Sequence, residues 1–258
     1  MARLRWVNAA LAMLLLLAPK PLVAGGIVSL NLCTDQWLVR LAPERIAALT
    51  PLARDPSISA VAVDATRFPM VRPDAEAVLR LKPDLVLVGA WGGLSTAALL
   101  RVRGVPLERI DDPQNFAGIT ATIAHVAEIL GRPAQGRALN AAMQSALPQL
   151  GDANRQHLRA VIWQARGLTA GPGSLGDSVL RAAGYHNIGT GGTMSLEALI
   201  TAKPDLVVVD EQPRFPSLAT DLFRNPALRR LAVVALPPAW LTCGGPDAAR
   251  AVARIAQP

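Results

Sequence analysis

The side chains able to do chemistry in this chain are few. It has two cysteines, Cys33 and Cys243, and three histidines, His125, His157 and His186. No two histidines stand at the HExxH spacing that sets two imidazoles on one helix face, so no zinc site is expected. The stretch GPGSLGDS at 171–178 is glycine-rich and precedes a helical pattern, but it lacks the lysine and spacing of a phosphate-binding loop. It reads as a turn and a helix N-cap. No Ser–His–Asp arrangement is suggested by position. Neither a catalytic set nor a protein-held cofactor is therefore expected. What remains is recognition chemistry. Arg67, Arg166 and Arg214 carry forked guanidinium groups suited to carboxylates or catecholates, although an arginine is more often simply solvated. Trp91 and Trp240 stand out among five Trp, one Tyr and four Phe. They could clamp a large flat or apolar ligand, or else pack against the protein's own core.

Those residues must be positioned by regular elements, and the chain repeats its own. Residues 74–88 read DAEAVLRLKPDLVLV and residues 195–209 read SLEALITAKPDLVVV, at a constant offset of 121. In each copy a helical pattern (75–81, 196–202) runs into Lys-Pro-Asp. The proline ends the helix because it lacks an N–H and disfavours helical geometry before it. The LVLV and LVVV runs then read as strands buried on both faces of a parallel sheet. Two distant copies fit two related lobes better than a solenoid.

The same alternation continues elsewhere. Strands are expected at 27–31, 45–49, 60–63, 105–110, 160–164 and 231–236. Helices are expected at 34–41, 95–103, 116–130, 175–183 and 246–255. Between the lobes, residues 133–156 are rich in helix formers and lack a Gly/Ser linker, so a helix should join them. Strands alternating with helices argue an α/β fold. Ligands of such sheets sit beyond the carboxyl ends of strands. That rule selects Asn31, Cys33, Thr34, Arg67, Phe68 and Trp91 in one lobe. In the other it selects Gln164, Arg166, Glu211, Arg214, Trp240 and Cys243.

Composition bounds the setting. The chain has 258 residues, 51% hydrophobic and 17% charged, which excludes a disordered polypeptide. Arg3 and Arg5 precede an apolar run at 9–18, followed by Leu22-Val23-Ala24. This reads as an export signal cleaved after Ala24, since ten apolar residues are too few to span a bilayer, which takes about 20. An uncleaved anchor is the alternative. Removing Arg3, Arg5 and Lys20 lowers the net charge from +7 to +4. There is no basic run, so nucleic acid is not an expected partner. Cys33 follows a bulky Leu32 and lies well past the apolar run, which argues against a lipidation site. In an oxidising compartment Cys33 and Cys243 could form a disulfide, touch a metal-containing ligand as thiols, or be unrelated.

The opening strand Ile27-Val28-Ser29-Leu30, the segment Pro43-Glu44-Arg45-Ile46-Ala47-Ala48-Leu49, the repeated KPDLV and Trp91-Gly92-Gly93 after the first copy carry a resemblance. Together they resemble the substrate-binding proteins of ABC importers for iron–siderophore complexes, cobalamin and haem, of the class with a helical backbone between lobes. The resemblance implies a signal peptide at 1–24 and Rossmann-like lobes at 25–131 and 158–258. A single long helix at 132–157 would join them, and the ligand cleft would lie between the lobes. It implies a periplasmic, monomeric binder that is not an enzyme and delivers a metal chelate to a permease and its ATPase. Glu76 and Glu197 match the family's permease-docking glutamates, although helix dipoles alone also favour carboxylates there. The AWGG motif points towards cobalamin, and the arginines towards an anionic ferric complex. An extracytoplasmic enzyme, or a non-transport ligand or metal binder on the same fold, is the rival reading.

Overall fold

The computed structural model describes residues 25–148, 157–211 and 225–257. It contains two four-stranded parallel sheets with the same strand order. In the N-lobe these are β1 (Ile27–Ser29), β2 (Ile46–Ala48), β3 (Leu85–Gly89) and β4 (Leu107–Ile110), ordered β2-β1-β3-β4. In the C-lobe they are β5 (Arg159–Ile162), β6 (His186–Asn187), β7 (Leu206–Asp210) and β8 (Val233–Leu236), ordered β6-β5-β7-β8. The helices in chain order are α1 (Leu32–Leu41), α2 (Ala62–Ala65), α3 (Ala75–Arg80), α4 (Leu94–Val102), α5 (Phe116–Ile129), α6 (Pro133–Ala146), α7 (Leu175–Ala182), α8 (Leu196–Ala202) and α9 (Ala248–Ala256).

The sequence repeat is a structural repeat down to single atoms. Asp74 and Ser195 each cap a helix, accepting the N–H of Ala77 (2.8 Å) and Ala198 (3.2 Å). Lys82 and Lys203 each adopt a left-handed conformation, at φ 46° and 47°. Both precede a proline, which disfavours a right-handed helical turn at the residue before it, so the chain reverses through the left-handed region. The N–H of Asp84 then meets the Gly26 carbonyl, and that of Asp205 the Arg159 carbonyl, fixing the register of each central strand pair.

Both faces of each sheet are buried, and strand alternation assigns the faces. Ile27 and Leu87 face one cluster, while Val28, Val86 and Val88 face another with Leu100. In the C-lobe Ala160, Ile162, Leu206 and Val208 face the first cluster, and Val161, Val207 and Val209 pack with Trp163 and Leu199. The first cluster is shared. It runs from the inner face of one sheet through α1, the α5–α6 hairpin, α7 and α9 to the inner face of the other. The lobes therefore share a continuous core.

Three local expectations change. The segment at 60–63 is not a strand: α2 occupies 62–65, carrying the chain over the ends of the strands. Its two alanines favour helix, and β1 is already paired on both sides. No strand is expected at 186–187, yet His186 starts the two-residue edge strand β6, too short to show any periodicity. The joining helix α6 ends at Ala146, where Leu147 becomes extended ahead of Pro148. The rest of the expected spacer, 149–156, lies outside the described residues.

Candidate ligand-binding cleft

The carboxyl ends of β1 and β3 are tied together by Asn31. Its side-chain oxygen accepts the N–H of Cys33 (2.7 Å) and Thr34 (3.3 Å), capping α1. Its Nδ2 donates to the carbonyl of Trp91 (2.6 Å), sixty residues on. Gly89 leaves the necessary room, since a Cβ there would lie 2.4 Å from Asn31 Cγ. Asn31 was expected to face a ligand. Its amide is instead committed to holding the Trp91 loop, so it positions the site. Thr34 is also corrected: it is buried, with its hydroxyl on Ser29 Oγ (2.7 Å) and the Asn31 carbonyl (2.9 Å).

Cys33 and Cys243 form a disulfide with 5.4 Å between their Cα atoms, spanning 210 residues and joining the lobes. Both are buried against Leu32 and Ile58, and no free cysteine exists. The ligand-contact reading for these two sulfurs gives way to a covalent strap. Beside it, Arg40 of α1 pairs with Asp247 at the start of α9, and both side chains are 14% exposed.

The other residues expected to meet a ligand are a mixed set. Trp91 is 74% exposed. Gly92 and Gly93, at φ 77° and 65°, turn the chain sharply after it into α4, leaving the indole outside the fold. Large exposed aromatics at the end of a sheet are unusual, because burying such a ring is strongly favourable. Trp240 is half-buried against the shared core, with the Arg250 guanidinium 4.6 Å from its ring centroid. Arg67 is exposed, pairs with Asp64 (3.1 Å) and lies 5.5 Å over the ring of the half-buried Phe68. Arg166 is exposed and held at φ 61°, a left-handed conformation that turns it out of the loop after β5. Arg214 lies outside the described residues.

Gln164 lines a cavity of about 360 Å³. Most of its wall is C-lobe: Ile162, Thr169, Ser174 and Leu175 beside glycine backbone, with Leu241 after β8. Gln114, entering from the end of β4, is the N-lobe contribution. The cavity therefore straddles the lobe boundary. Gln164 also hydrogen-bonds Asp210 at the end of β7, whose carboxyl is pushed up by burial and held partly back by that bond. Asp210 was not anticipated, because it reads as the polar end of an apolar strand. Neighbouring Glu211 lies 3.7 Å from Arg254.

Asp35 was also missed. Fully buried one residue beyond Thr34, it accepts the N–H (3.0 Å) and hydroxyl (2.5 Å) of Thr50. Burial pushes its carboxyl up to about 6, against the lowering effect of hydrogen bonds from Thr50 and Ser29. In the sequence it looks like an ordinary acidic residue in a first helical turn.

Glu76 and Glu197 stand exposed at equivalent positions in the first turns of α3 and α8. Their surroundings differ. Glu76 accepts Arg80 Nη1 (2.6 Å), whereas position 201 in the other lobe is threonine. Backbone hydrogen bonding and the Ser195 hydroxyl hold the Glu197 carboxyl below its ordinary value. Among the described residues there is no group of three or more His, Cys, Asp or Glu able to hold a metal ion. No described helix is long and apolar enough to cross a membrane.

Comparison with known proteins places this architecture. Three solved structures are similar across both lobes. The haem-binding protein RhuT from Roseiflexus sp. RS-1 is 25% identical over 89% of this chain and 95% of its own, with a TM-score of 0.66. The haem-binding protein HutB of Vibrio cholerae is 19% identical over 90% and 98%, with a TM-score of 0.73. The vitamin B12-binding protein BtuF of Vibrio cholerae is 18% identical over 89% and 94%, with a TM-score of 0.68. No curated protein sequence matches. The family model described as "Periplasmic binding protein" matches residues 27–235, both sheets included. The chain belongs to the periplasmic binding protein family.

Proposed function

We propose that this protein captures a metal-chelate small molecule between its lobes and delivers it to the permease of an ABC importer. The candidate cargoes are a ferric siderophore, a corrinoid or haem. Two observations carry the reading: Trp91 is exposed after β3, and a cavity of about 360 Å³ is lined from both lobes. Such a platform suits a large, partly flat ligand, because stacking an indole on it removes apolar surface from water. The haem- and vitamin B12-binding proteins of similar fold support the ligand class. The contacts proposed are Trp91, Phe68, Gln164 and Trp240 for packing and hydrogen bonding. Arg67, Arg166 and Arg214 would meet anionic groups.

The protein does no chemistry on its cargo. It acts as a monomer in the periplasm after cleavage of residues 1–24, with lobes at 25–131 and 158–258 around the connector at 132–157. Glu76 and Glu197 dock on basic residues of the permease, one per lobe. Two carboxylates held apart on a rigid frame fix the orientation of approach. Titration of intrinsic tryptophan fluorescence with cyanocobalamin, haemin and ferric siderophores tests the reading. Saturable quenching without turnover is the expected result. Failure of every ligand to bind below the micromolar range removes the proposal's support.

A further inference from the structure

The five consecutive residues Cys243-Gly244-Gly245-Pro246-Asp247 carry three contacts to the N-lobe. Cys243 is bonded to Cys33 at the start of α1. Asp247 pairs with Arg40 at the other end of α1. Between them, Gly244 lies directly against the N-lobe. A Cβ added there would stand 2.2 Å from the Pro113 carbonyl oxygen and 2.7 Å from its ring. The neighbouring Gly245 differs, because a Cβ there would have its nearest contact at 3.8 Å. Neither glycine has a positive φ. Close approach, not backbone conformation, is what requires glycine at 244.

Both sides of the Gly244–Pro113 contact are braced. Pro113 follows β4 and packs on the first turn of α5, where a Cβ at Gly118 would come 3.1 Å from its ring. Gly244 is buried between the cross-linked Cys243 and the entry to α9, where the Ala248 N–H meets the Gly245 carbonyl (3.1 Å). The contact also adjoins the cavity. Gln114, on the N-lobe side of the cavity wall, is next to Pro113, and Leu241 of the same wall is three residues before Gly244. Leu241 is tied to this segment by a tight turn, its N–H and that of Thr242 both on the Pro238 carbonyl (3.0 and 2.9 Å). On the other side of the disulfide, the Cys33 N–H is bonded to the Asn31 amide that also holds Trp91.

We infer that Gly244, with the Cys33–Cys243 bond beside it, is the positioning residue that sets the width of the ligand cleft. The shared core keeps the lobes docked, and this contact fixes how near Gln114 comes to the C-lobe wall. A gap preset in the free protein spares the ligand the ordering of it. An alanine at 244 has to open the gap. A carbon and a carbonyl oxygen rest about 3.3–3.6 Å apart, roughly 1 Å more than the contact allows. The inference rests on the capture function proposed above and names a residue that tunes it.

Gly244→Ala and Gly245→Ala would be compared with the parent, each without its first 24 residues and with the disulfide formed. The probes are cyanocobalamin, haemin and a ferric trihydroxamate. Tryptophan fluorescence reads binding at a temperature where circular dichroism shows all three proteins folded. Gly244→Ala should bind whichever probe the parent binds roughly tenfold more weakly, the size of effect a shared backbone shift brings. Gly245→Ala should match the parent. A merely stabilising role for Gly244 would lower the melting temperature and leave the affinity of the folded protein unchanged. Parent-like affinity in Gly244→Ala, or equal weakening in both glycine variants, therefore overturns the inference. Hydrogen exchange of the ligand-free proteins gives an independent readout, with faster exchange expected at 112–119 and 239–249 in Gly244→Ala alone. If no probe binds the parent, the capture reading falls and exchange decides this inference, parent-like exchange in Gly244→Ala overturning it. Should Gly244→Ala not fold, Cys33→Ala/Cys243→Ala takes its place. Binding weaker by at least about threefold is then expected, and parent-like affinity overturns the inference.

Discussion

Replacing both half-cystines, Cys33→Ala and Cys243→Ala, removes the disulfide cross-link between the lobes. The bond closes a loop with a sequence separation of 210. In the chain-entropy relation a loop of that length restricts the unfolded chain by about 18 cal/mol/K, or about 5 kcal/mol at 25 °C. Native disulfides are worth about 2–5 kcal/mol when removed, so that figure is an upper bound. Unfolding entropy is about 2.1 cal/mol/K per residue, which for a mature chain of this size gives a fall in Tm of roughly 5–10 °C. The folded lobes should stay in place, because they share one core and keep the Arg40–Asp247 pair. The assay is urea unfolding and calorimetry of parent and double variant, with a free-thiol titration of the parent under denaturing conditions. Little or no thiol should titrate before reduction. A titratable thiol in the unreduced parent, or a loss below about 1 kcal/mol, well under the 2–5 kcal/mol of native disulfides, would refute the reasoning.

Three further outcomes are expected. The Asp35 carboxyl titrates near 6 in the folded protein against an ordinary 3.8, so the folded state holds the proton more tightly. Stability from this group is present below about pH 4 and lost as the pH rises through about 6, by about 3 kcal/mol. Asp35→Asn should flatten that part of the pH dependence, read as the parent-minus-variant difference in unfolding free energy from pH 4 to 7. Gly89→Ala places a Cβ 2.4 Å from Asn31 Cγ. It should cost about 1–3 kcal/mol through the lost cap and crowding, and weaken ligand-induced quenching of Trp91. An unchanged melting curve would show that Asn31 is not held as described. The Glu76→Ala/Glu197→Ala double variant should keep its ligand affinity and lose ligand uptake in cells, and unimpaired uptake would remove the docking role.

The fold was legible where one residue type has one physical meaning. The proline of each Lys-Pro-Asp has to end a helix, and the β-branched runs after it have to be buried on both faces. The 121-residue offset made both statements twice. Segments where local preference is weak were misread. The alternation at 60–63 suited a strand but the segment forms α2, and the two residues of β6 pair only because β5 lies alongside. In the cleft, position after a strand was read as direction towards a ligand. Trp91 is left exposed there, because the two following glycines turn the chain away. That reading fails for Asn31 and Thr34, where helix capping turns the polar atoms inward. The union of Cys33 with Cys243 depends on how the two lobes dock, which no local pattern encodes.

The most direct test of the central claim is a fluorescence titration of parent and Trp91→Ala with cyanocobalamin and a ferric trihydroxamate. An exposed indole stacked on a ligand contributes about 0.5–1.5 kcal/mol beyond its area burial, so affinity should fall by roughly tenfold and much of the quenching should vanish. Equal affinity and equal quenching in the two proteins would place the ligand elsewhere and contradict the cleft as the binding site.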